Sequence, residues 1–182
     1  MTPAAYRWLD DLRYPPRTIL IGMAEHGVQE VVGKGSSRTI IGWRDELNQA
    51  GVKISGYSDD SIPWCGLFAA IVAFRRTKTP ADVPASPLWA RSWASYGTKS
   101  PQPSLGDVLV FARGSGGHVG FYVAEDATAY HVLGGNQGDR VSIARVAKSR
   151  LLACRRPPYK STPRDVRPFV VAASGGLSRN EA

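Results

Sequence analysis

The stretch from residue 59 to residue 78 constrains the fold most, because it joins a helix start to an unbroken apolar run. Residues 67–74 (LFAAIVAF) are all apolar, which predicts a helix buried on every side. Ser61 can cap the free backbone N–H groups at its start, and Pro63 suits the first turn. Basic residues at 75, 76 and 78 follow the run, where a helix C-terminus favours positive charge.

This helix start places Cys65 in the first turn of a buried helix. The helix dipole stabilises a thiolate there and lowers the thiol pKa, so Cys65 is a candidate nucleophile. A small core residue is the alternative interpretation, because unpaired cysteines are often buried. Asp59 and Asp60 precede the helix, either as partners of its dipole or as ligands of a cation.

The length of 182 residues is enough for one domain with its own core. Its two cysteines do not indicate a disulfide framework. Residues 1–16 include charged side chains and lack an apolar signal core, so we expect no signal peptide and synthesis in a reducing cytoplasm. No apolar run reaches the length of a transmembrane helix.

The net charge of +8 is concentrated late in the chain. Residues 140–167 hold nine Lys or Arg and a single acid, Asp165, whereas residues 1–139 hold thirteen of each sign. Such a segment favours anionic polymers or an anionic surface, and a solvated basic edge is the alternative. Because Tyr159 and Phe169 are the only aromatic residues near it, base stacking with nucleic acid is not expected.

The order of the predicted elements indicates the α+β class, with helices first and a small antiparallel sheet after them. Apolar spacing predicts helices over 2–12, 17–28 and 38–50, before the helix of Cys65. Short runs rich in β-formers predict strands over 107–112, 118–124, 129–133, 141–146 and 151–154. From residue 157 onward, Pro and Gly steps predict an extended, partly disordered tail.

His118 and Asn136 are brought together by one pairing of the hairpin formed by the second and third predicted strands. If residues 125–128 form the loop, His118 lies opposite Gly135 or, with a slip of one residue, opposite Asn136. In the second register Asn136 can orient the His118 ring, as the third member of a Cys-His-Asn set does. A turn residue is the alternative interpretation for Asn136.

Four ordered motifs carry a resemblance to a known family: IPWCGLF at 62–68, SLGDVLVF at 104–111, GHVGFY at 117–122 and LGGNQG at 133–138. Together they resemble the papain-like cell-wall hydrolases of the NlpC and CHAP type, and more closely their compact bacteriophage and prophage branch. Glu30, the loop 33–37 and the final RRP at 155–157 also fit that pattern. The resemblance implies a catalytic domain over 17–157, with an N-terminal extension over 1–16 and a basic C-terminal tail over 158–182.

The resemblance implies a papain-like fold, in which the nucleophile starts a helix packed on a small antiparallel sheet. Cys65 matches the nucleophile, His118 the base and Asn136 the polar third residue. NlpC members with a second His, and CHAP members with Glu, differ from this chain at the third position. No metal or cofactor is implied. Residues that could stabilise an oxyanion or bind substrate are Tyr57, Trp64 and Gln137.

The implied activity is cleavage of an amide bond in the peptidoglycan stem peptide, through a thioester on the nucleophile. An endopeptidase is the first interpretation, and an N-acetylmuramoyl-L-alanine amidase with the same site is the second. The implied partners are the stem peptide and, through residues 140–167, anionic wall polymers or an outer-membrane surface. We expect a monomer made in the host cytoplasm that acts at the cell wall. An acyltransferase, a non-catalytic wall-binding module and a phage structural module remain as alternatives.

Overall fold

The computed structural model describes residues 1–172 and 175–178, which form one α+β fold. Short 3₁₀ helices span Ala4–Leu9, Pro80–Asp82, Ala90–Ser95 and Lys148–Arg150. The α-helices are α1 (Arg17–Ala24), α2 (Arg38–Gln49) and α3 (Cys65–Thr77). The strands are β1 (Thr98–Lys99), β2 (Val108–Arg113), β3 (Gly116–Glu125), β4 (Ala129–Gly134), β5 (Ser142–Ala147) and β6 (Leu151–Arg156).

The sheet is a six-stranded antiparallel sheet in the order β1-β6-β2-β3-β4-β5. The five strands predicted from the sequence are present, each with boundaries within about two residues. The sixth, β1, is only two residues long and exposed, so it has no periodicity from which it could be predicted. The predicted helix over 2–12 is instead the 3₁₀ helix Ala4–Leu9, and α1 ends four residues earlier than predicted.

Helix α3 lies in the centre of the core, as its apolar run predicts. It packs against α1, α2 and β3, and every residue from 65 to 74 is buried. Arg75 and Arg76 occupy its last turn, where the exposed carbonyls favour positive charge. The prediction for its start was wrong, because the helix begins at Cys65 and Ser61 does not cap it. The Ser61 hydroxyl donates instead to the Asp59 carboxylate.

At Phe121 the β3–β4 hairpin has the second of the two predicted registers, which is shifted by one residue from the first. Phe121 lies opposite Leu133, and an irregularity between Tyr122 and Ala124 shifts the pairing by a further residue toward the loop. The ladder stops at Phe121, so the first five residues of β3 are unpaired on that edge. This unpaired edge faces the start of α3.

The two ends of the chain pack on the same region of the fold. The Trp8 ring stacks on Phe169 with centroids 4.5 Å apart, and Val170 forms a parallel bridge with Glu125 at the end of β3. The Tyr6 hydroxyl lies 2.7 Å from Nδ1 of buried His131. Residues 158–172 form no helix or strand of their own, and residues 173, 174 and 179–182 of the predicted tail lie outside the described residues.

Much of the late positive charge is neutralised within the fold. Arg145 donates to Asp126 at 2.7 Å, and Lys148 forms an ion pair with Glu125 at 2.6 Å. Two nitrogens of Arg156 donate to the carboxylate of fully buried Asp107, both at 2.9 Å. These arginines and this lysine therefore stabilise the sheet. Lys160 and Arg164 are exposed, and they remain as candidates for contact with an anionic surface.

Within the described part of the chain, no helix has the length and apolar character needed to cross a membrane.

A matched pair of glycine substitutions tests the packing of α3. A Cβ at Gly66 would collide with the Pro87 carbonyl oxygen and lie 2.7 Å from that of Leu88, whereas a Cβ at Gly42 in α2 meets no atom within 4 Å. We expect Gly66→Ala to lower the free energy of unfolding by about 1–3 kcal/mol. Gly42→Ala should raise it by about 0.5–1 kcal/mol, because alanine favours the helix.

Chemical denaturation of both variants beside the wild type measures these changes. A Gly66→Ala protein as stable as the wild type would contradict the close approach of the 87–88 backbone to α3.

Candidate active site

The N-terminus of α3 holds the Cys65 thiol against the strand that carries His118. Cys65 is the first residue of the helix and is only 4% exposed. The backbone N–H groups of Val119 and Gly66 lie close enough to its sulfur to lower the pKa of the thiol. Because Val119 directly follows His118 on β3, the sulfur lies beside the peptide bond that joins these two residues. The structure therefore brings together the two principal residues predicted from the sequence.

Burial sets the charge state of the Cys65 thiol. Loss of solvent raises its pKa, and this effect outweighs the N–H contacts and the Arg113 charge, which lower it. The expectation that the helix dipole would give a lowered pKa was therefore wrong, because it left out the cost of burying a thiolate. At neutral pH the resting thiol is protonated, so it could act as a nucleophile only if a neighbouring base accepted its proton.

His118 is held by Gln137. The His118 Nε2 atom lies 3.0 Å from the Oε1 atom of Gln137. The Gln137 Nε2 atom donates to the carbonyls of Val132 at 3.1 Å and Ser142 at 2.6 Å, which fixes the orientation of the amide. Because Oε1 can only accept, His118 Nε2 must carry a proton. In the neutral ring the lone pair is then on Nδ1, and this tautomer can act as a base.

Asn136 occupies the turn that delivers Gln137 to the ring. Its backbone is left-handed, with φ of 56°, and its amide oxygen is buried with no hydrogen-bond partner among the described residues. This geometry fits the turn interpretation, since asparagine adopts left-handed backbone more readily than most residues. The side chain in hydrogen-bond contact with His118 Nε2 is that of Gln137. The predicted contact of Asn136 with the His118 ring is therefore wrong, and Gln137, predicted as a possible substrate contact, takes that position.

Two glycines before Asn136 allow the chain to pass close to the ring and to α3. A Cβ at Gly134 would lie 2.9 Å from Gln137 Oε1 and 3.1 Å from His118 Nε2. A Cβ at Gly135 would lie 2.6 Å from the Cβ of Phe68. Larger residues at these positions would displace either the ring or the helix. The two glycines of the GGNQ motif are therefore required for steric reasons.

Trp64 and Tyr57 lie in the core rather than on a substrate-facing surface. Trp64 is fully buried, and its indole N–H donates to Glu30 Oε1 at 2.6 Å. Tyr57 is 3% exposed, and within the described residues its hydroxyl has no hydrogen-bond partner. Their role in oxyanion stabilisation or substrate binding stays a prediction, for which these positions offer no support.

Glu30 joins the start of α3 to the loop that follows Gln137. Its carboxylate accepts the Trp64 N–H, and its backbone N–H donates to the Asp139 carbonyl at 3.0 Å. Glu30 fits the family pattern described above, but its contacts could not be predicted from that pattern. Glu30 precedes Cys65 by 35 residues, and no local sequence pattern indicates a contact over such a separation.

A cavity of about 650 Å³ is lined by residues 29–33, 35, 59–61 and 138–140, and among the described residues it reaches the site only through Glu30, which contacts Trp64 next to Cys65. Asp60 in its wall accepts backbone N–H groups from Val31 at 3.0 Å and Ser37 at 2.7 Å, so this carboxylate holds the Gly-rich loop. Asp59 accepts from Ser58 and Ser61. Across residues 1–172 and 175–178, no group of three His, Cys, Asp or Glu side chains is arranged to hold a metal ion.

Comparison with protein-family models and with curated proteins finds no match for this chain. Its function can therefore be inferred only from its motifs and from the geometry of this site.

The roles of Gln137 and Asn136 can be separated by one substitution each. Gln137→Ala removes the acceptor that fixes the His118 tautomer, and we expect kcat for amide cleavage to fall roughly 10- to 100-fold. Asn136→Gly removes a side chain but keeps the left-handed turn, so kcat should change by less than about threefold. A larger loss in Asn136→Gly than in Gln137→Ala would restore Asn136 as the third residue.

The charge state of Cys65 can be read from the pH dependence of its alkylation. Because burial raises its pKa, the rate of modification by iodoacetamide should be low at pH 7 and should keep rising above the ordinary thiol pKa of about 8.5. Cys154 is the internal control, since burial raises its pKa to about 12. Mass spectrometry of the native protein gives both rates. A rate for Cys65 that is already at its plateau at pH 6–7 would mean a preformed thiolate.

Proposed function

We propose that this protein is a papain-like peptidoglycan hydrolase that cleaves an amide bond of the stem peptide. The observation that carries the proposal is the position of Cys65 as the first residue of α3, close to Val119 on β3, which directly follows a histidine whose tautomer is fixed by Gln137. A thiol at a helix start next to an oriented imidazole is the arrangement that nucleophilic acyl transfer requires. The resemblance of the four motifs to NlpC and CHAP hydrolases supplies the substrate class.

The reaction begins when His118 accepts the Cys65 proton as the sulfur attacks the amide carbonyl. The C–N bond then breaks, and His118 returns the proton to the leaving amine, which leaves an acyl thioester on Cys65. Water attacks the thioester with His118 as base, and this step releases the carboxylate product and the free thiol. Backbone N–H groups at the start of α3 have no partner within the helix, so that of Cys65 is suited to stabilise the oxyanion.

Access to the sulfur requires movement of the residues above it. Cys65 and His118 are 4% and 0% exposed, so a polymeric substrate can reach them only when a covering segment shifts. The backbone of residues 87–88 lies against Gly66, the residue after Cys65, and we expect this segment to be the one that moves. We expect the stem peptide to enter as an extended chain between this segment and the loop 134–140.

Endopeptidase activity is the first choice within this proposal, and the amidase differs from it only in which bond reaches Cys65. The site of action would be the bacterial cell wall, most simply as a phage or prophage lysin. Lys160 and Arg164 would add attraction to anionic wall polymers, since they are exposed and form no ion pair with a buried acid among the described residues.

Clearing of purified peptidoglycan by wild type and Cys65→Ala tests the proposal. Wild type should lower the turbidity, and Cys65→Ala should lose at least about 10³-fold of this rate because the nucleophile is gone. Cys154→Ser is the matched control, since it changes the other buried thiol and should keep the rate within about threefold. Equal clearing by wild type and Cys65→Ala would exclude the thiol mechanism.

Mass spectrometry of the released fragments then identifies the bond. A new amino group on a diamino acid or a D-residue indicates an endopeptidase, and a new N-terminal L-Ala indicates an amidase. Absence of clearing by all three proteins would contradict the hydrolase proposal itself.

A further inference from the structure

Residues 86–91 pass close to both elements of the candidate site, the start of α3 and the strand β3. The Leu88 carbonyl oxygen would lie 2.7 Å from a Cβ at Gly66, the residue after Cys65. The Arg91 side chain covers Gly117, the residue before His118, with its Cγ 3.1 Å from a Cβ at that position. Arg91 is therefore anchored at the rim of the site, one residue from His118.

The orientation of the Arg91 guanidinium is fixed at one nitrogen. Its Nε donates to the Gly116 carbonyl at 2.7 Å, and the residue is exposed. Its two terminal nitrogens have no hydrogen bond or ion pair to any described residue. By contrast, Arg75, Arg76, Arg145 and Arg156 each bind a carboxylate of the fold. Arg91 thus presents a pair of oriented donors that the described fold leaves available.

Two further arginines approach the same turn of the β2–β3 hairpin. Arg113 ends β2 opposite Gly116, and its charge acts on the Cys65 thiol. Arg150 donates its Nε to the Ala112 carbonyl at 2.9 Å. Arg91 and Arg150 therefore each donate to a carbonyl of residues 112–116, and Arg113 belongs to the same segment, which lies immediately before His118.

We propose that Arg91 binds a carboxylate of the substrate, so that the enzyme selects a peptide with a free carboxylate close to the scissile amide. This inference depends on the proposed function and specifies its substrate. A guanidinium binds a carboxylate through two parallel N–H···O bonds, and the Nε contact with Gly116 leaves both terminal nitrogens for that purpose. Neutral amide groups at the same position would lose the charge-assisted part of this interaction.

A pair of stem tetrapeptides tests the inference, one with its carboxylates free and one with every carboxylate converted to a carboxamide. Wild type should hydrolyse the free form with a KM about tenfold lower than that of the amidated form. In Arg91→Gln the two KM values should become equal, and Arg91→Lys should keep part of the difference because it keeps the charge. Arg7→Gln is the matched control, since it removes one exposed positive charge from the 3₁₀ helix Ala4–Leu9 and should keep the wild-type ratio.

The alternative role for Arg91 is to clamp the hairpin through Gly116. In that case Arg91→Gln would raise the KM of both peptides by the same factor, and the difference between them would remain. This result would overturn the inference, and so would a wild type with the same KM for both peptides. Binding of both peptides to full-length Cys65→Ala gives the same comparison without turnover. If neither peptide is cleaved by wild type but Cys65→Ala prefers the free carboxylates tenfold, the hydrolase proposal fails and the carboxylate site stands.

Discussion

The enclosure of α3 is the constraint on which the rest of the structure depends. A helix with an apolar residue at every position from 67 to 74 has no face for solvent, so other elements must cover it on all sides. Helices α1 and α2, strand β3 and the segment 87–88 do so. Cys65 starts this helix and is therefore buried with it. The location of the thiol is a consequence of the same apolar run that builds the core.

Burial gives the site its particular chemistry. In an exposed helix start the thiolate would be favoured, but here the cost of desolvation dominates and the thiol keeps its proton. In the proposed reaction the tautomer of His118 then becomes decisive, since the ring would have to offer a lone pair to receive that proton. Gln137 determines the tautomer, and it is itself held by carbonyls of β4 and β5. The reactive pair is thus set by the sheet as much as by the helix.

The sequence predicted the elements better than it predicted their ends and contacts. The α+β class and five strands followed from the change of hydrophobic period near residue 106. The start of α3 did not, because Ser61 and Pro63 carry the usual signals of a helix start while Ser61 bonds to Asp59 instead. The partner of His118 was missed by one residue. The ladder ends at Phe121 and the chain turns at Asn136, and neither event has a signal in hydrophobic periodicity.

Contacts between the two ends of the chain have a consequence for how the protein folds. Tyr6 meets His131 across 125 residues, and Trp8 stacks on Phe169. Contacts between residues so distant in sequence close large loops, and such topologies fold slowly. During synthesis the first sixteen residues leave the ribosome long before their partners exist. The contacts of Tyr6 and Trp8 can therefore form only after residues 131 and 169 have been synthesised, so the packing of the N-terminal segment cannot be complete before then.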